Sequence, residues 1–439
     1  MATPLYDAMT AHLAARRVSF HTPGHKGQAA LLEPLTALPL DLTELPDIGS
    51  LYDGGDAVEA AEREAAKTFG TQYTFFSGGG CTLAIQTMLA LAAKRGGRVL
   101  MARNAHRSAV HAAVLLDLSV TWCLSPDPKT VEAQLEADPS LRTVYITSPD
   151  YYGRLADVRA LADVCHARGA VLLVDNAHGT HLDAFGCHPV TLGADASADS
   201  AHKTLPVLTG GAYLQIAKDG AFASLSRAEI KATMALFGST SPSFPVLASL
   251  DLAQAWWRTD GRAAFKTLFH RSRPLFEAAE NGGLAPAFER TDPVRLTLDL
   301  KKGDAACFAE LLRTLGQEPE YVDSRYVVLL LSPFHTNEQL SALQRAMEEA
   351  AALPLPPSRP SPFSAGMPEG LPRRAMALRA ATLAAQETVI VSEAVGRISA
   401  GTVCPCPPGV AVITAGEVFE QPLVTQLAEA GIAQVCVVK

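Results

Sequence analysis

The sequence predicts an α/β fold in which a mostly parallel sheet is flanked by helices, followed by a smaller α+β domain at the C-terminus. Short apolar runs alternate with helical patterns between residues 71 and 216, and this alternation is typical of a parallel sheet covered by helices. The run Val171–Val174 is apolar throughout, which favours a strand buried on both faces. From about residue 255 the alternation gives way to a different order of elements, which marks the second domain.

The elements follow in order along the chain. Residues 1–50 form an N-terminal arm rich in Pro, Gly and His, and residues 56–69 are predicted to be helical because Ala, Glu and Lys dominate there. The large domain, residues 51–255, then holds predicted strands at 98–102, 120–124, 143–147, 170–175 and 212–216 and helices at 82–94, 108–115, 130–137 and 158–167. The C-terminal part, residues 256–439, has a Pro-rich linker near 353–372, strands at 295–300, 326–331, 411–414 and 434–438, and helices at 337–351 and 421–430.

Composition narrows the classes of protein. A chain of 439 residues is expected to form two or three domains. With 37 basic and 45 acidic residues the net charge is -8, which argues against nucleic acid as a partner. No run of about 18 apolar residues occurs and no secretion signal stands at the N-terminus, so we expect no membrane partner and a cytoplasmic location. The eight cysteines are scattered, which is typical of reduced thiols.

The segment Ser200–Thr204, Ser-Ala-His-Lys-Thr, is the first candidate for chemistry. A lysine amine held in a partly dry site is a usable nucleophile and can form a Schiff base with the aldehyde of pyridoxal phosphate (PLP). Ser200 and His202 flank Lys203 and can both reach a phosphate group. The alternative is an ordinary surface lysine.

Asp175 ends the apolar run Val171–Val174, and ligands of parallel sheets bind beyond the carboxyl ends of the strands. We expect its carboxylate to hold the pyridine nitrogen of PLP protonated, so that the ring can accept electrons. Ala177, two residues on, is small enough for a ring to lie against the backbone. The alternative is an Asp that caps a turn.

The segment Phe76–Thr82 contains three consecutive glycines between a strand and a helix. Glycines permit a close backbone approach, and the N-terminus of the next helix offers N–H groups to an anion. This pattern fits a phosphate site, although it matches neither a Walker A loop nor the dinucleotide fingerprint.

Two further segments contain histidines. His106 follows the strand at 98–102 and is either a capping residue or an imidazole stacked on the cofactor ring. His21–Gly27 is either a Pro-Gly turn or a functional loop. A metal site needs about four ligands, and neither this segment nor Cys404–Cys406 provides them, so we expect no metal.

Taken together, these residues resemble the Orn/Lys/Arg decarboxylase family, PLP enzymes of the aspartate-aminotransferase fold (fold type I), and most of all its shorter bacterial members. The similarity covers most of the chain. It is carried by the blocks at 21–26, 41–46, 103–108, 175–179, 200–203, 240–251 and 405–409.

The resemblance implies a fold type I enzyme with a seven-stranded sheet, PLP as cofactor and shared active sites in a homodimer or a higher oligomer. Lys203 then carries the cofactor, Asp175 pairs with the ring nitrogen, and His106 stacks on the ring opposite Ala177. Ser241 is expected to reach the partner's cofactor site. The remaining cofactor residues that the resemblance implies are Gly80, Cys81, Thr82, His178, Ser200 and His202.

The resemblance also implies a reaction, the decarboxylation of lysine, arginine or ornithine to an amine, as in polyamine metabolism. Lys203 or His202 would return the proton to Cα. The chain departs from the family pattern at several positions, so two alternatives stay open: an aminotransferase or aldolase, and a PLP-binding homologue with weak catalysis and a regulatory role. The departures are Cys81, Asn176, Gly210-Gly211, Gly401 in place of a Glu, and Cys406 in place of a Tyr.

Overall fold

The computed structural model describes residues 2–14, 38–301, 303–357, 370–404 and 411–439. The predicted segment His21–Gly27, most of the Pro-rich linker and the block at 405–409 with Cys406 lie outside the described residues. The chain divides into two compact units, residues 1–96 with 158–263 (the first unit) and residues 97–157 with 264–439 (the second unit).

Helices and strands alternate as predicted through the first half of the chain. The elements up to residue 256 are α1 (Pro4–Ala14), α2 (Asp56–Phe69), β1 (Tyr73–Ser77), α3 (Gly80–Ala93), β2 (Arg98–Ala102), α4 (Arg107–Leu115), β3 (Ser119–Cys123), α5 (Pro128–Ala137), β4 (Thr143–Thr147), α6 (Val158–Ala167), β5 (Val171–Asp175), β6 (Ala196–Asp199), α7 (Ala201–Thr204), β7 (Ala212–Ile216), α8 (Arg227–Ala235) and α9 (Phe244–Trp256). The later elements are α10 (Arg262–Asn281), β8 (Arg295–Asp299), α11 (Ala305–Thr314), β9 (Tyr321–Val322), β10 (Tyr326–Leu330), α12 (Asn337–Ala352), α13 (Leu378–Leu383), β11 (Gln386–Ile390), α14 (Gln421–Glu429) and β12 (Gln434–Val438).

The strands of the first unit lie in the order β1-β7-β6-β5. β5 and β6 are parallel, whereas β7 runs antiparallel to both β6 and β1. The link from β6 to β7 contains only the four-residue α7, and a connection without a long crossover helix favours antiparallel pairing. All five residues of β5 are buried, as its apolar sequence predicts.

The second unit contains three groups of paired strands. β4, β2 and β3 are parallel, with β2 in the middle. β8, β10 and β9 form an antiparallel sheet, and β11 pairs antiparallel with β12. The predicted strand at 411–414 is wrong, because Ile413 makes only an isolated bridge to Val403.

Side-chain caps define several of the helix ends. Ser226 and Glu229 form a capping box at the start of α8, and Thr336 and Gln339 form another at the start of α12. Within the described ranges, no helix is long and apolar enough to cross a membrane.

Candidate active site

Asp175 lies at the carboxyl end of β5 and is 1% exposed. Its Oδ1 atom accepts a hydrogen bond of 3.1 Å from the backbone N–H of Ala177. The turn that follows is held by the backbone N–H of Asn176, which donates to Ala198 O on the neighbouring strand β6. The carboxylate is therefore presented by a rigid strand end, at the position where parallel sheets bind their ligands.

Lys203 lies on α7, which follows β6 directly. Its Nζ atom is 2.9 Å from Nε2 of His178, a residue of the turn after Asp175. His178 is buried, and Lys203 is partly buried. The structure thus brings together the two motifs that the sequence offers separately, the turn at 175–179 and the segment 200–203.

His202 is fixed by the loop between α7 and β7. Its Nδ1 atom is 3.0 Å from Gly211 O, and since a carbonyl oxygen only accepts, Nδ1 carries the proton and donates it. Burial lowers the pKa of His202 below its ordinary value; the bond to Gly211 opposes this shift, and the Lys203 charge adds to it. The imidazole is therefore held neutral, with Nε2 as its acceptor nitrogen.

The Gly-rich turn connects β1 to α3, as predicted. α3 begins at Gly80, and its N-cap residue, Gly79, provides no side-chain cap. No acidic residue stands in the first turn, so the positive end of the helix is not neutralised from within. The backbone N–H of Gly80 donates to Gly210 O over 2.8 Å, which ties this turn to the loop after Lys203.

Cys81, in the first turn of α3, is a buried neighbour of the predicted cofactor residues. Burial raises the pKa of its thiol well above the usual range, and the Asp175 carboxylate adds to this effect. A hydrogen bond with Ser200 and the charge of Lys203 act in the opposite direction. Cys81, Asp175, Ser200 and Lys203 therefore interact within one small region of the first unit.

Asp199, which precedes Ser200, is held by a buried network that the sequence reasoning missed. It accepts hydrogen bonds from His188 Nε2 (2.7 Å), Gln215 Nε2 (2.8 Å) and Ser197 Oγ (2.9 Å). The Nδ1 atom of His188 accepts from the backbone N–H of Val190, so Nε2 carries the donated proton. No local motif marks these residues, because the network joins β6, β7 and the loop that contains His188.

His106 belongs to the second unit, where it caps the N-terminus of α4. Its Nδ1 atom accepts from the backbone N–H of Ser108 over 3.2 Å and lies 2.8 Å from Ser108 Oγ. The ring is exposed in this unit. The capping alternative is thus observed, and stacking on a cofactor ring stays a prediction.

Two other positions that the sequence singles out are Ser241, in the first unit, and Gly401, in the second unit. Ser241 is exposed, and its backbone N–H donates to Ser239 Oγ over 3.1 Å. Gly401 lies in the second unit, where a Cβ atom added to it would meet no atom within 4 Å. Neighbouring atoms therefore do not require a glycine at position 401.

The donor set of the first unit fits PLP. It offers a primary amine, a buried carboxylate at a strand end and a helix N-terminus without a cap, which match the aldehyde, the ring nitrogen and the phosphate of this cofactor. Among the described residues, no group of three or more His, Cys, Asp or Glu could hold a metal ion.

Solved structures with a similar fold define the class. The constitutive lysine decarboxylase of Escherichia coli matches with a TM-score of 0.79 at 18% identity, covering 100% of this chain and 82% of that one. Lysine decarboxylase A of Pseudomonas aeruginosa matches with a TM-score of 0.79 at 22% identity, covering 97% and 76%. The serine palmitoyltransferase of Sphingomonas wittichii matches with a TM-score of 0.54 at 18% identity, covering 66% and 75%. The chain has the fold of the fold type I PLP enzymes, which confirms the predicted fold class.

Sequence comparison then identifies the family. The model of the Orn/Lys/Arg decarboxylase major domain matches residues 3–279, and that of the C-terminal domain matches residues 363–430. The chain belongs to the Orn/Lys/Arg decarboxylase family and is an amino acid decarboxylase. It is 29% identical to the uncharacterized protein YaaO of Bacillus subtilis over 95% of this chain and 92% of that protein.

Two relatives with named substrates differ in how much of the chain they cover. The arginine decarboxylase of Halalkalibacterium halodurans is 29% identical over 95% of this chain and 91% of its own length. The lysine decarboxylase LdcA of P. aeruginosa is 24% identical over 63% of this chain and 43% of its own length.

Proposed function

We propose that this enzyme uses PLP to decarboxylate a cationic amino acid, and that arginine is its substrate in preference to lysine and ornithine. The observation that carries the use of PLP is the grouping of Lys203, Asp175 and the uncapped start of α3 in the first unit. The preference for arginine is supported by the relatives, because an arginine decarboxylase aligns over 95% of this chain and LdcA over only 63%.

Residues of the first unit have separate roles toward the cofactor in this proposal. Lys203 Nζ would hold the cofactor covalently and would release it to the amino group of the substrate. When bound, PLP supplies a ring that takes up the electron pair released as the bond from Cα to the carboxylate breaks. Asp175 would hold the proton on the ring nitrogen by its charge, and its burial would strengthen that interaction because little water would screen it.

The start of α3 binds the phosphate group. Backbone N–H groups of Cys81 and Thr82 stand in the uncapped first turn, and Gly80 permits a close approach. Ser200 and the neutral imidazole of His202 complete the set from the start of α7. The bond from Gly80 N–H to Gly210 O keeps the two loops at a fixed separation.

The return of a proton to Cα would precede the release of the product amine from the cofactor. We assign this proton transfer to Lys203, because its Nζ would carry a proton after its release from the cofactor, whereas the Nδ1 proton of His202 is donated to Gly211 O. The predicted positions of Ala177 and His106, on opposite faces of the ring, remain part of this proposal.

The proposal also keeps the predicted organisation of the chain, with an arm at 1–50 and domains at 51–255 and 256–439. It includes a homodimer in which Ser241 reaches the partner's site.

A substrate panel tests the proposal. Purified enzyme with PLP is assayed with arginine, lysine and ornithine, and both carbon dioxide and the product amine are quantified. We expect arginine to give the largest kcat/KM, Lys203→Ala to remove turnover and the visible absorbance of the bound cofactor, and Lys218→Ala, at an exposed lysine of the same unit, to keep both. A larger kcat/KM for lysine or ornithine would overturn the substrate assignment, and unchanged absorbance in Lys203→Ala would overturn the role of Lys203.

A further inference from the structure

The proposed reaction assigns no role to the hydrogen bond between Lys203 and His178. Nζ and Nε2 are 2.9 Å apart, a normal length for a hydrogen bond between nitrogens. His178 is 6% exposed and lies in the turn between β5 and the 3-10 helix Thr180–Phe185, while Lys203 approaches from α7. The contact therefore joins two separate elements of the first unit and is partly shielded from water.

The chemistry of the two groups determines how they share protons. A lysine ammonium has no acceptor, so a charged Lys203 must donate to a His178 whose Nε2 has no proton. The pair cannot carry two positive charges without repulsion at this distance. One extra proton shared between Nζ and Nε2 avoids this repulsion, and the lone pair of either nitrogen can accept it.

We propose that His178 is the base that takes the proton from the Lys203 ammonium and so makes this amine nucleophilic toward the cofactor aldehyde. The N–H bond at Nζ breaks, an N–H bond at Nε2 forms, and the lone pair left on Nζ makes the new bond to the aldehyde carbon. The carbonyl oxygen leaves as water together with the two protons that remained on Nζ, and no oxidant or reductant takes part. The same proton returns to Nζ when the amino group of a substrate displaces the lysine.

The other titratable groups of this site have different interactions or keep their protons. Cys81 is a buried thiol whose proton is retained, because burial and Asp175 both raise its pKa. His202 donates Nδ1–H to Gly211 O, and the Lys203 charge disfavours a second proton on its ring. Asp199, which also acts on Cys81, accepts from His188, Gln215 and Ser197. Asp175 accepts a hydrogen bond from the backbone N–H of Ala177, and its charge acts on the Cys81 thiol.

The inference rests on the proposed function, because it presupposes that Lys203 binds PLP. The test follows the capture of PLP by apoenzyme, measured as the growth of visible absorbance after rapid mixing at a series of pH values from about 6 to about 11, a range that includes the ordinary pKa values of histidine and lysine. Three variants are compared: His178→Gln, which keeps a polar side chain but no base; Lys203→Ala; and His181→Gln, which changes another buried histidine nearby.

The expected result is a change in the shape of the pH profile. At pH 7 we expect His178→Gln to capture PLP about a hundredfold more slowly than wild type, the lower part of the range for a positioned base. The difference should shrink toward high pH, where the amine loses its proton to solvent. His181→Gln should follow the wild-type profile. A His178→Gln profile that parallels wild type at every pH, whether reduced or not, would overturn the inference.

A second variant covers the case in which His178→Gln misfolds. His178→Ala leaves space beside Nζ, and we expect added imidazole to restore the rate of PLP capture in proportion to its unprotonated concentration. A folded His178→Ala variant that captures PLP at the wild-type rate without imidazole, or that stays slow with it, would refute the role of His178. Capture by Lys203→Ala would instead refute the proposed function, so the two failures are distinguishable.

Discussion

Replacing Glu417 with glutamine removes one charge from a buried ion pair of the second unit. Nη1 and Nη2 of Arg103 each lie 2.8 Å from an oxygen of the Glu417 carboxylate, and the two side chains are 0% and 1% exposed. The guanidinium also donates to Ala411 O and Val412 O and lies 4.8 Å from the ring centre of Trp122. These contacts hold the segment around residue 411 against the end of β2.

The size of the loss in stability follows from the charge of Arg103, which the substitution leaves without its ionic partner. Removing one partner of a buried pair leaves the other charge uncompensated, at a cost of about 3–5 kcal/mol. The carbonyl contacts of Arg103 remain, and glutamine keeps one acceptor oxygen, so we expect Glu417→Gln to lower the free energy of unfolding by about 3 kcal/mol.

Urea unfolding of the holoenzyme measures the change, with hydrogen exchange of the peptide around residue 417 to locate it. Glu387→Gln is the matched control, because the bond from Arg397 to Glu387 is 2.6 Å long but the two side chains are 36% and 42% exposed. Exposed pairs contribute at most about 1 kcal/mol. A loss for Glu417→Gln that is no larger than the loss for Glu387→Gln would refute the reasoning.

Three further predictions concern the first unit and the thiols. Asp175→Asn should lower kcat at least about a hundredfold while the protein still binds PLP, because an amide supplies no charge to the ring nitrogen; a kcat near wild type in steady-state assays would contradict this. Asp251 accepts from two backbone N–H groups of α1, and burial raises its pKa from 3.8 to about 6. Its contribution to stability is full below about pH 4 and is lost as the pH rises through about 6, a difference of about 3 kcal/mol. Asp251→Asn should flatten this part of the stability profile in urea unfolding between those pH values, and an unchanged slope would count against the assignment. Cys81 should resist alkylation at pH 8, because it is buried and its pKa is raised, while the exposed Cys436 should react. Mass spectrometry of the two cysteine peptides measures the labelling, and faster labelling of Cys81 than of Cys436 would contradict this prediction.

Local sequence pattern predicted much of the fold. The strands β2, β4 and β7 have the predicted bounds, because each is a compact run of mostly apolar residues. β6 was missed because its sequence, Ala-Ser-Ala-Asp, is short and lacks the branched and aromatic residues typical of strands. The reversed direction of β7 was not predicted, because an apolar pattern does not encode the direction of a strand.

The candidate site shows the same division between local and long-range information. Asp175 and Lys203 stand in short motifs, so their spacing and residue types indicated a cofactor site. The contact of Lys203 with His178 spans 25 residues and depends on how the turn after β5 faces α7. The pair Arg103 and Glu417 is 314 residues apart in the chain, so that only tertiary packing brings it together.

The covalent attachment of PLP to Lys203 is the central claim, and reduction of the holoenzyme with borohydride tests it most directly. Borohydride makes the link between cofactor and protein permanent, and peptide mass spectrometry then locates it. We expect the phosphopyridoxyl group on Lys203, in the peptide that also contains Ser200 and His202. The group on any other lysine, or no modified peptide from a protein that shows the visible absorbance of bound PLP, would contradict the account.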